Sequence, residues 1–452
     1  MNCCVQEAAC MPRDSISTRP DEIILLPSPD AWVSDLSPSA SKDSIHARSQ
    51  LGLPTDQPII ASGHQPILFH PGIVAKLIAM DAWSKRTGAA TVWVVPDQDV
   101  VDPALVRLPK SNDGSLTVEE FLIGGESSTN TPASLLPTIE VGSDLPSQLE
   151  EIGSWLMGFE HEPSLAKQFA SASIGLLCEK LGIDEPTMVY ASDLLALDAS
   201  QSLLDSMIND PKRAAELYNA SVAMFPDAGV RALKIENNTI ELPLWRFDGS
   251  RRVPVSIQIG QQDFDRSNLA PRGLLMTAIM RAFLCDLFIH GTGGYSYDRI
   301  TEHWLTEWQG LTLSPITGVS ATMTLDLDAG KSVDPDHAAW VAHHAKHTPA
   351  MLGDQQASDR KAELVAAIAQ SKTAGDYTKT ATLFHAMHQL LDETRTKHAQ
   401  QLRELEDASD NAQQSRNDFQ IANDRTWSFP LFTDSQLGSL KAEIERALGV
   451  SG

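Results

Sequence analysis

Two short apolar runs that break abruptly into polar residues dominate the hydrophobic pattern of the chain. Ile59-Ile60-Ala61-Ser62 gives way to Gly63-His64-Gln65-Pro66, and Val92-Trp93-Val94-Val95 gives way to Pro96-Asp97-Gln98-Asp99. Between them Ile73, Val74, Leu77, Ile78 and Met80 recur at helical spacing. Pro71 suits a first turn and Gly88 a C-terminal stop, so the spacing predicts a helix over Pro71–Arg86. Strand, helix and strand across residues 56–96 form a βαβ unit with parallel strands. Both strand ends then lie at one edge of the sheet. That brings His64 and Gln65 towards Asp97, Gln98 and Asp99, where open α/β sheets bind ligands.

The same grammar returns further on. Leu145–Leu181 reads as one helix or two, Thr187–Ala191 as a strand ending in Ser192-Asp193, and Ser202–Phe225 as helix. Alternating runs over 232–257 predict a small antiparallel excursion. Leu274–Leu284 is helical, and Cys285–His290 is a strand that breaks into a Gly291-Thr292-Gly293-Gly294 loop. A helix over Asp298–Trp308 and a strand over Val319–Leu327 follow. Residues 21–53 carry loop and short-helix signals, and 99–142, rich in Ser, Thr, Pro and Gly, reads as a long connection. Beyond Gly330, Leu383, Phe384, Met387, Leu390 and Leu391 form a helical stripe, with Gly375 as a break. A helical hairpin or short coiled coil follows, a candidate homodimer surface. Trp427–Phe432 reads as an apolar strap docking the C-terminus on the core. The expected organisation is a disordered leader over 1–20, an α/β core over 21–330 with an inserted connection around 100–260, and a helical region over 331–452.

Composition narrows the classes. The 452 residues carry a formal charge of −24, which disfavours nucleic acid as a partner, and no dense Lys/Arg run offsets it. The longest apolar candidate for a membrane span, Leu274–Ile289, is interrupted by Arg281 and Asp286, and the N-terminus lacks a secretory pattern; the expectation is a cytoplasmic protein. The five cysteines, Cys3, Cys4, Cys10, Cys178 and Cys285, fit neither a disulfide framework nor a zinc spacing. His343 and His347 share a helix face, but no further ligand has diagnostic spacing, so no metal site is assigned.

Gly63-His64-Gln65-Pro66, a helix carrying Lys76, and Trp93-Val94-Val95-Pro96-Asp97-Gln98-Asp99 together resemble the bacillithiol biosynthesis cysteine-adding enzymes. Phe288-Ile289-His290-Gly291-Thr292-Gly293-Gly294 with Tyr297-Asp298 is similar to that family's late Gly-rich segment. The resemblance implies a Rossmann-like, nucleotidyltransferase-type parallel sheet with helical insertions and a C-terminal coiled coil. It implies a ligase that uses ATP or another nucleotide to join cysteine to the amine of a glucosamine–malate conjugate. The chain departs from the family at His64, where a Gln is usual, at Gln98, where a His is usual, and at Asp97, where a Glu is usual. It is also shorter, and so is its loop from Gln65 to Lys76.

The residues themselves allow specific chemistry. His64 and His70 bracket a strand-end loop and are candidates to stabilise charge on a transferring phosphate; alternatively His64 caps the helix and His70 packs on Trp93. Asp97 and Asp99 project to one side of an extended segment. They could hold Mg²⁺, bind a substrate ammonium such as the amine of cysteine, or simply serve the turn after Pro96. Gly63 and the Gly291, Gly293, Gly294 set permit close backbone approach to an anion, with His290 beside them. Tyr297 and Asp298 are expected to begin the following helix, Asp298 as its cap. Lys76 and Arg272 are the cations nominated for phosphate. Gln65 completes the catalytic set. The alternatives are a nucleotidyltransferase-like enzyme acting on another small molecule and a non-catalytic nucleotide-binding scaffold.

Overall fold

A computed structural model describes residues 22–112, 115–124, 130–261, 263–327 and 334–450. The expected leader and Cys3, Cys4 and Cys10 lie outside the described residues. The chain divides into two compact units, one comprising 22–107, 120–324 and 425–450, the other 108–119 and 325–424.

The first unit is built on a six-stranded sheet: β1 (Ile23–Leu26), β2 (Ile59–Gly63), β3 (Ala90–Val95), β4 (Thr187–Tyr190), β5 (Leu287–His290) and β6 (Ile316–Ala321). Its spatial order is β1-β6-β5-β2-β3-β4, all parallel except the edge strand β1, which runs antiparallel to β6. From β2 the chain steps outward through β3 to β4, then returns to lay β5 on the other side of β2. The strand order therefore reverses between β2 and β5, which defines a crevice beyond their carboxyl ends.

The local reasons for this sheet are legible. Ile59, Ile60, Ala61 and Val92 to Val95 are buried as continuous apolar runs, as parallel strands covered on both faces must be. α1 (Pro71–Thr87) connects β2 to β3, starting on Pro71 and ending at Gly88, whose φ of 69° is the left-handed stop. Asp286 fixes the entry to the sheet. Its carboxylate accepts from Ile59 N at 2.8 Å and from the buried Arg48 guanidinium at 2.9 Å, while its own N–H reaches the Ile59 carbonyl. The start of β2 is thereby locked to the residue preceding β5.

Several elements differ from expectation. β1 forms where loop and short helix were expected, and the polar stretch after Asp99 contains paired strands Leu105–Asn112 and Ser115–Leu122. The antiparallel excursion is present as Ile235–Glu236, Thr239–Asp248, Arg251–Gln258 and Leu269–Pro271. The expected helix over Leu274–Leu284 is α-helical only over Gly273–Ile279 and finishes as a π-helical turn, Met280–Leu284. α2 (Thr292–Gln309) begins inside the Gly-rich segment, so Thr292, Gly293 and Gly294 are its first turn rather than a loop before it. The strap docks as expected: Trp427 and Phe429 are buried, and Phe429 N–H donates to the Phe69 carbonyl at 2.7 Å.

The second unit is helical among its described residues apart from the strand segments it takes from 108–119. Gln355–Thr373 and Tyr377–Lys397 form a hairpin turning at Gly375, whose φ is 73°. Ala345, Leu352 and Leu402 make its small core. On Pro335–Ala345, Trp340 stacks on His344 at 4.3 Å, and the rings of His343 and His347 lie 5.7 Å apart. Among the described residues no three His, Cys, Asp or Glu side chains cluster as metal ligands, and no helix is long and apolar enough to cross a membrane.

One glycine is required by the sheet. A Cβ on Gly63 would overlap the Val94 carbonyl, a backbone atom that cannot swing away. Gly63→Ala is expected to cost about 3 kcal/mol in urea unfolding, at the upper end of overpacking penalties. An unchanged midpoint would show that the two strands tolerate separation.

Candidate functional site

Beyond the carboxyl ends of β2, β3 and β5 lies a cleft of about 270 Å³. It occupies the crevice where the strand order reverses. Gly63, His64, Gln65, Lys76, Asp99, His290, Gly291 and Gly294 all line it. His70, Asp97, Arg272 and Gly293 do not. Gln98, Thr277 and Tyr297 line it as well. The two strand-end loops touch directly, since Gln65 Nε2 donates to Asp99 Oδ2 at 3.1 Å.

Lys76 projects from α1 back towards the strand end, where its ammonium donates to the Gly63 carbonyl and lies 5.3 Å from the centre of the Trp93 ring. It is 4% exposed. Burial lowers its pKa to about 7, and no carboxylate among the described residues pairs with it. A buried ammonium without a counter-charge is costly unless something anionic joins it.

The two imidazoles of the β2 loop take different work from that expected. His70, not His64, caps α1: its Nδ1 accepts the Gly72 N–H at 3.1 Å. Phe69, not His70, packs on Trp93, at 5.5 Å. His64 faces the cleft with its ring edge-on to Phe69 at 5.9 Å. Burial, then Lys76 and His70, depress its pKa to about 3, so it is neutral at pH 7.

Asp97 and Asp99 are likewise separated by their partners. Asp97 is buried and accepts from Ser192 N at 2.9 Å and Ser192 Oγ at 2.6 Å, tying the β3 loop to the end of β4. Burial raises its pKa against those two hydrogen bonds. Asp99 takes Arg252 on Oδ1 at 2.6 Å and Gln65 on Oδ2. Asp99 lines the cleft and Asp97 does not, so the two carboxylates are not presented to it together.

His290 ends β5 and is held from below. Its Nε2 lies 3.0 Å from Asp298 Oδ2, which also accepts from Arg281 Nη1 at 2.8 Å, while Thr277 Oγ1 donates to Asp298 Oδ1 at 2.9 Å. Burial pushes the Asp298 carboxyl up, but His290, Arg281 and Thr301 outweigh it and hold the pKa below the usual carboxylate range. A carboxylate only accepts, so Nε2 carries the proton and Nδ1 presents a lone pair. Burial, the largest influence, lowers the His290 pKa, keeping the ring neutral. The ring also explains Gly294, where a Cβ would stand 2.5 Å from Nδ1. α2 has no side-chain cap at Gly291, so its first-turn N–H groups lack the side-chain acceptor that usually serves them.

Asp298 is thus neither the start of α2 nor its cap but a buried anchor well inside the helix. Arg272 is also redirected: it donates to Glu241 at 2.7 Å and stacks on Trp245 at 4.2 Å, outside the cleft. The cation at the cleft edge is Arg252, stacked on Trp245 at 4.5 Å, which the sequence pattern did not single out. Arg281 was noted only as an interruption of an apolar run. A lone cation in such a run signals a buried partner, and that clue could have found it. Cys178 and Cys285 are buried, and burial pushes both thiols up to about 12, which makes them inert.

No protein-family model and no curated protein matches the chain. Among solved structures, Plasmodium falciparum tryptophanyl-tRNA synthetase is similar over 82% of this chain and 83% of its own, at 9% identity with a TM-score of 0.25. A product-bound parasite tRNA synthetase covers 83% and 84%, at 8% identity with a TM-score of 0.26. Scores this low carry no inference about the site.

The buried Arg281–Asp298 pair supplies a test. Asp298→Asn takes the buried carboxylate from a guanidinium that is 1% exposed, leaving it Glu302 and the Ser314 carbonyl, and is expected to cost about 3 kcal/mol at pH 7. The Asp298 pKa is depressed on folding, so its contribution is complete above the unfolded value of about 4 and fades as pH falls below it. The gap between the urea midpoints of wild type and variant should therefore be constant above about pH 5 and narrow steadily as pH falls below about 4. A gap independent of pH would assign the cost to shape rather than charge.

Proposed function

We propose that the cleft binds the phosphates of ATP or another nucleotide, and that the chain is a ligase of the cysteine-adding type, joining cysteine to an amino-sugar conjugate. The observation that carries the reading is Lys76, a buried amine with no carboxylate partner among the described residues, in a cleft also lined by Gly291 and Gly294 at the start of α2. Lysine and backbone N–H groups together make an anion site. Amide formation needs that anion, because a free carboxylate has a poor leaving group and must first be activated at nucleotide phosphate. Neutral His64, whose Nδ1 donates to the Gln65 carbonyl at 3.4 Å, lines the cleft beside Lys76 and adds no charge there. The lone pair on His290 Nδ1 is suited to take a proton from the attacking amine, with Asp298 steadying the resulting imidazolium. Gln65 and Asp99 hold the two loops at a fixed separation. Mg²⁺ would arrive with the nucleotide rather than on a protein carboxylate pair.

A second reading, a nucleotidyltransferase-like enzyme on a different small molecule, draws support from His64 and Gln98, which replace the residues usual in the cysteine-adding family. Thiol profiling of a deletion strain separates the two: only the first expects loss of a low-molecular-weight thiol.

Calorimetry with ATP tests the shared part. Wild type should bind with an affinity that falls as pH rises from 6 to 9, because the folded Lys76 ammonium deprotonates near 7. Lys76→Met should lose at least tenfold in affinity and most of that pH dependence. Removing the buried charge should also stabilise the ligand-free protein at pH 6 by on the order of 1 kcal/mol. Binding that is indifferent to both the substitution and pH would remove Lys76 from the site.

A further inference from the structure

Gln98 is 1% exposed and lines the same cleft. One contact holds its side-chain amide and another its backbone. Nε2 donates to the Pro271 carbonyl at 3.2 Å, and the residue's own carbonyl accepts from Arg252 Nη1 at 2.9 Å. Arg252 is in turn pinned by Asp99 and by the Trp245 ring. Turning the amide over would set Oε1 against the Pro271 carbonyl, so Nε2 stays there and Oε1 is a buried acceptor with no hydrogen-bond partner among the described residues. Native proteins seldom leave such an atom unpaired, because burial strips it of water without replacement.

We infer that Gln98 Oε1 is a specificity-determining acceptor that reads a hydrogen-bond donor on the ligand, an amine or a hydroxyl, and discriminates against the same ligand without it. The inference rests on reading this cleft as the ligand site and adds to it a second chemical demand. Lys76 asks for negative charge, and Gln98 asks for an N–H or O–H. With Lys76 given to phosphate, the donor comes from the second substrate in the cleft, such as an amino acid or a hydroxy acid. Asp97 cannot substitute, because it does not line the cleft and is turned to Ser192. A site built around a fixed polar partner rejects the analogue lacking the matching group far more strongly than an apolar pocket rejects a missing methylene, since the protein group is then buried unpaired.

The test uses the full chain and three isosteric thiol acids: L-cysteine with an ammonium, 3-mercaptolactate with a hydroxyl, and 3-mercaptopropionate with neither. Inorganic pyrophosphate serves as a separate probe of the anion site, all by equilibrium calorimetry under reducing conditions. Wild type should bind cysteine or mercaptolactate at least tenfold more tightly than mercaptopropionate, and whichever is favoured identifies the donor. In Gln98→Leu that preference should collapse to within about twofold while pyrophosphate affinity stays unchanged. Thermal melting of Gln98→Leu beside wild type, together with its retained pyrophosphate affinity, guards against misfolding of the leucine variant. A preference that survives Gln98→Leu, or wild type binding all three acids equally or none of them, overturns the inference. Failure of pyrophosphate to bind wild type instead overturns the phosphate reading of Lys76, whatever the thiol acids do.

Discussion

The close parallel pairing of β2 with β3 governs everything that happens at the cleft. Gly63 lies opposite Val94, and its missing Cβ lets the two backbones pass where any side chain would strike the Val94 carbonyl. That approach has two consequences. It sets the Gln65 amide against the Asp99 carboxylate, so both loops leave the sheet at a fixed separation. It also leaves the Gly63 carbonyl available to the Lys76 ammonium arriving from α1. Sheet geometry, loop geometry and charge placement are thus one constraint expressed three times.

The return of the chain to the other side of β2 adds the rest. Asp286 clamps the start of β2 to the residue before β5, and at the far end β5 delivers His290 beside the first turn of α2. Nothing local to residues 59–99 encodes that neighbour. It depends on contacts across more than two hundred residues of sequence, made by a carboxylate that looks unremarkable in its own segment.

This explains which features could be read from the amino-acid pattern. β2, β3 and α1 were legible because buried parallel strands produce uninterrupted apolar runs and α1 carries its own start and stop residues. β1 was not: four half-buried residues on an edge give neither alternation nor a long run. The eight cleft-lining residues of the expected set follow from topology alone, since anything just beyond the ends of neighbouring parallel strands must share an edge. Gly293 and the polar residues His70, Asp97 and Arg272 lie outside the cleft, and where such polar residues go, like the place of Asp298 within α2, depends on a partner far away in sequence or on where a helix begins. Arg272 and Arg252 look equivalent in the chain; Glu241 takes one, and Asp99 takes the other. The start of α2 moved forward because glycines at 293 and 294 are tolerated in a first turn, where the His290 ring leaves no room for a Cβ at 294.

The contrast between two buried cations decides how the site should be understood. Arg281 is surrounded by acceptors: Asp298, Glu302 and the Ser314 carbonyl. Lys76, equally buried and in the same unit, has one backbone carbonyl and an aromatic ring. If the fold needed a cation beside Trp93 for stability alone, an anion would be expected to accompany it, as it does at Arg281, because a lone ammonium out of water opposes folding. A methionine of similar length would fill the space at lower cost. Gln98 repeats the pattern with the opposite sign, a buried acceptor lacking a donor within the same cleft. Two complementary deficits, one of negative charge and one of a hydrogen-bond donor, meet in the cleft where the strand order reverses, and bound ligands supplying both groups would relieve them.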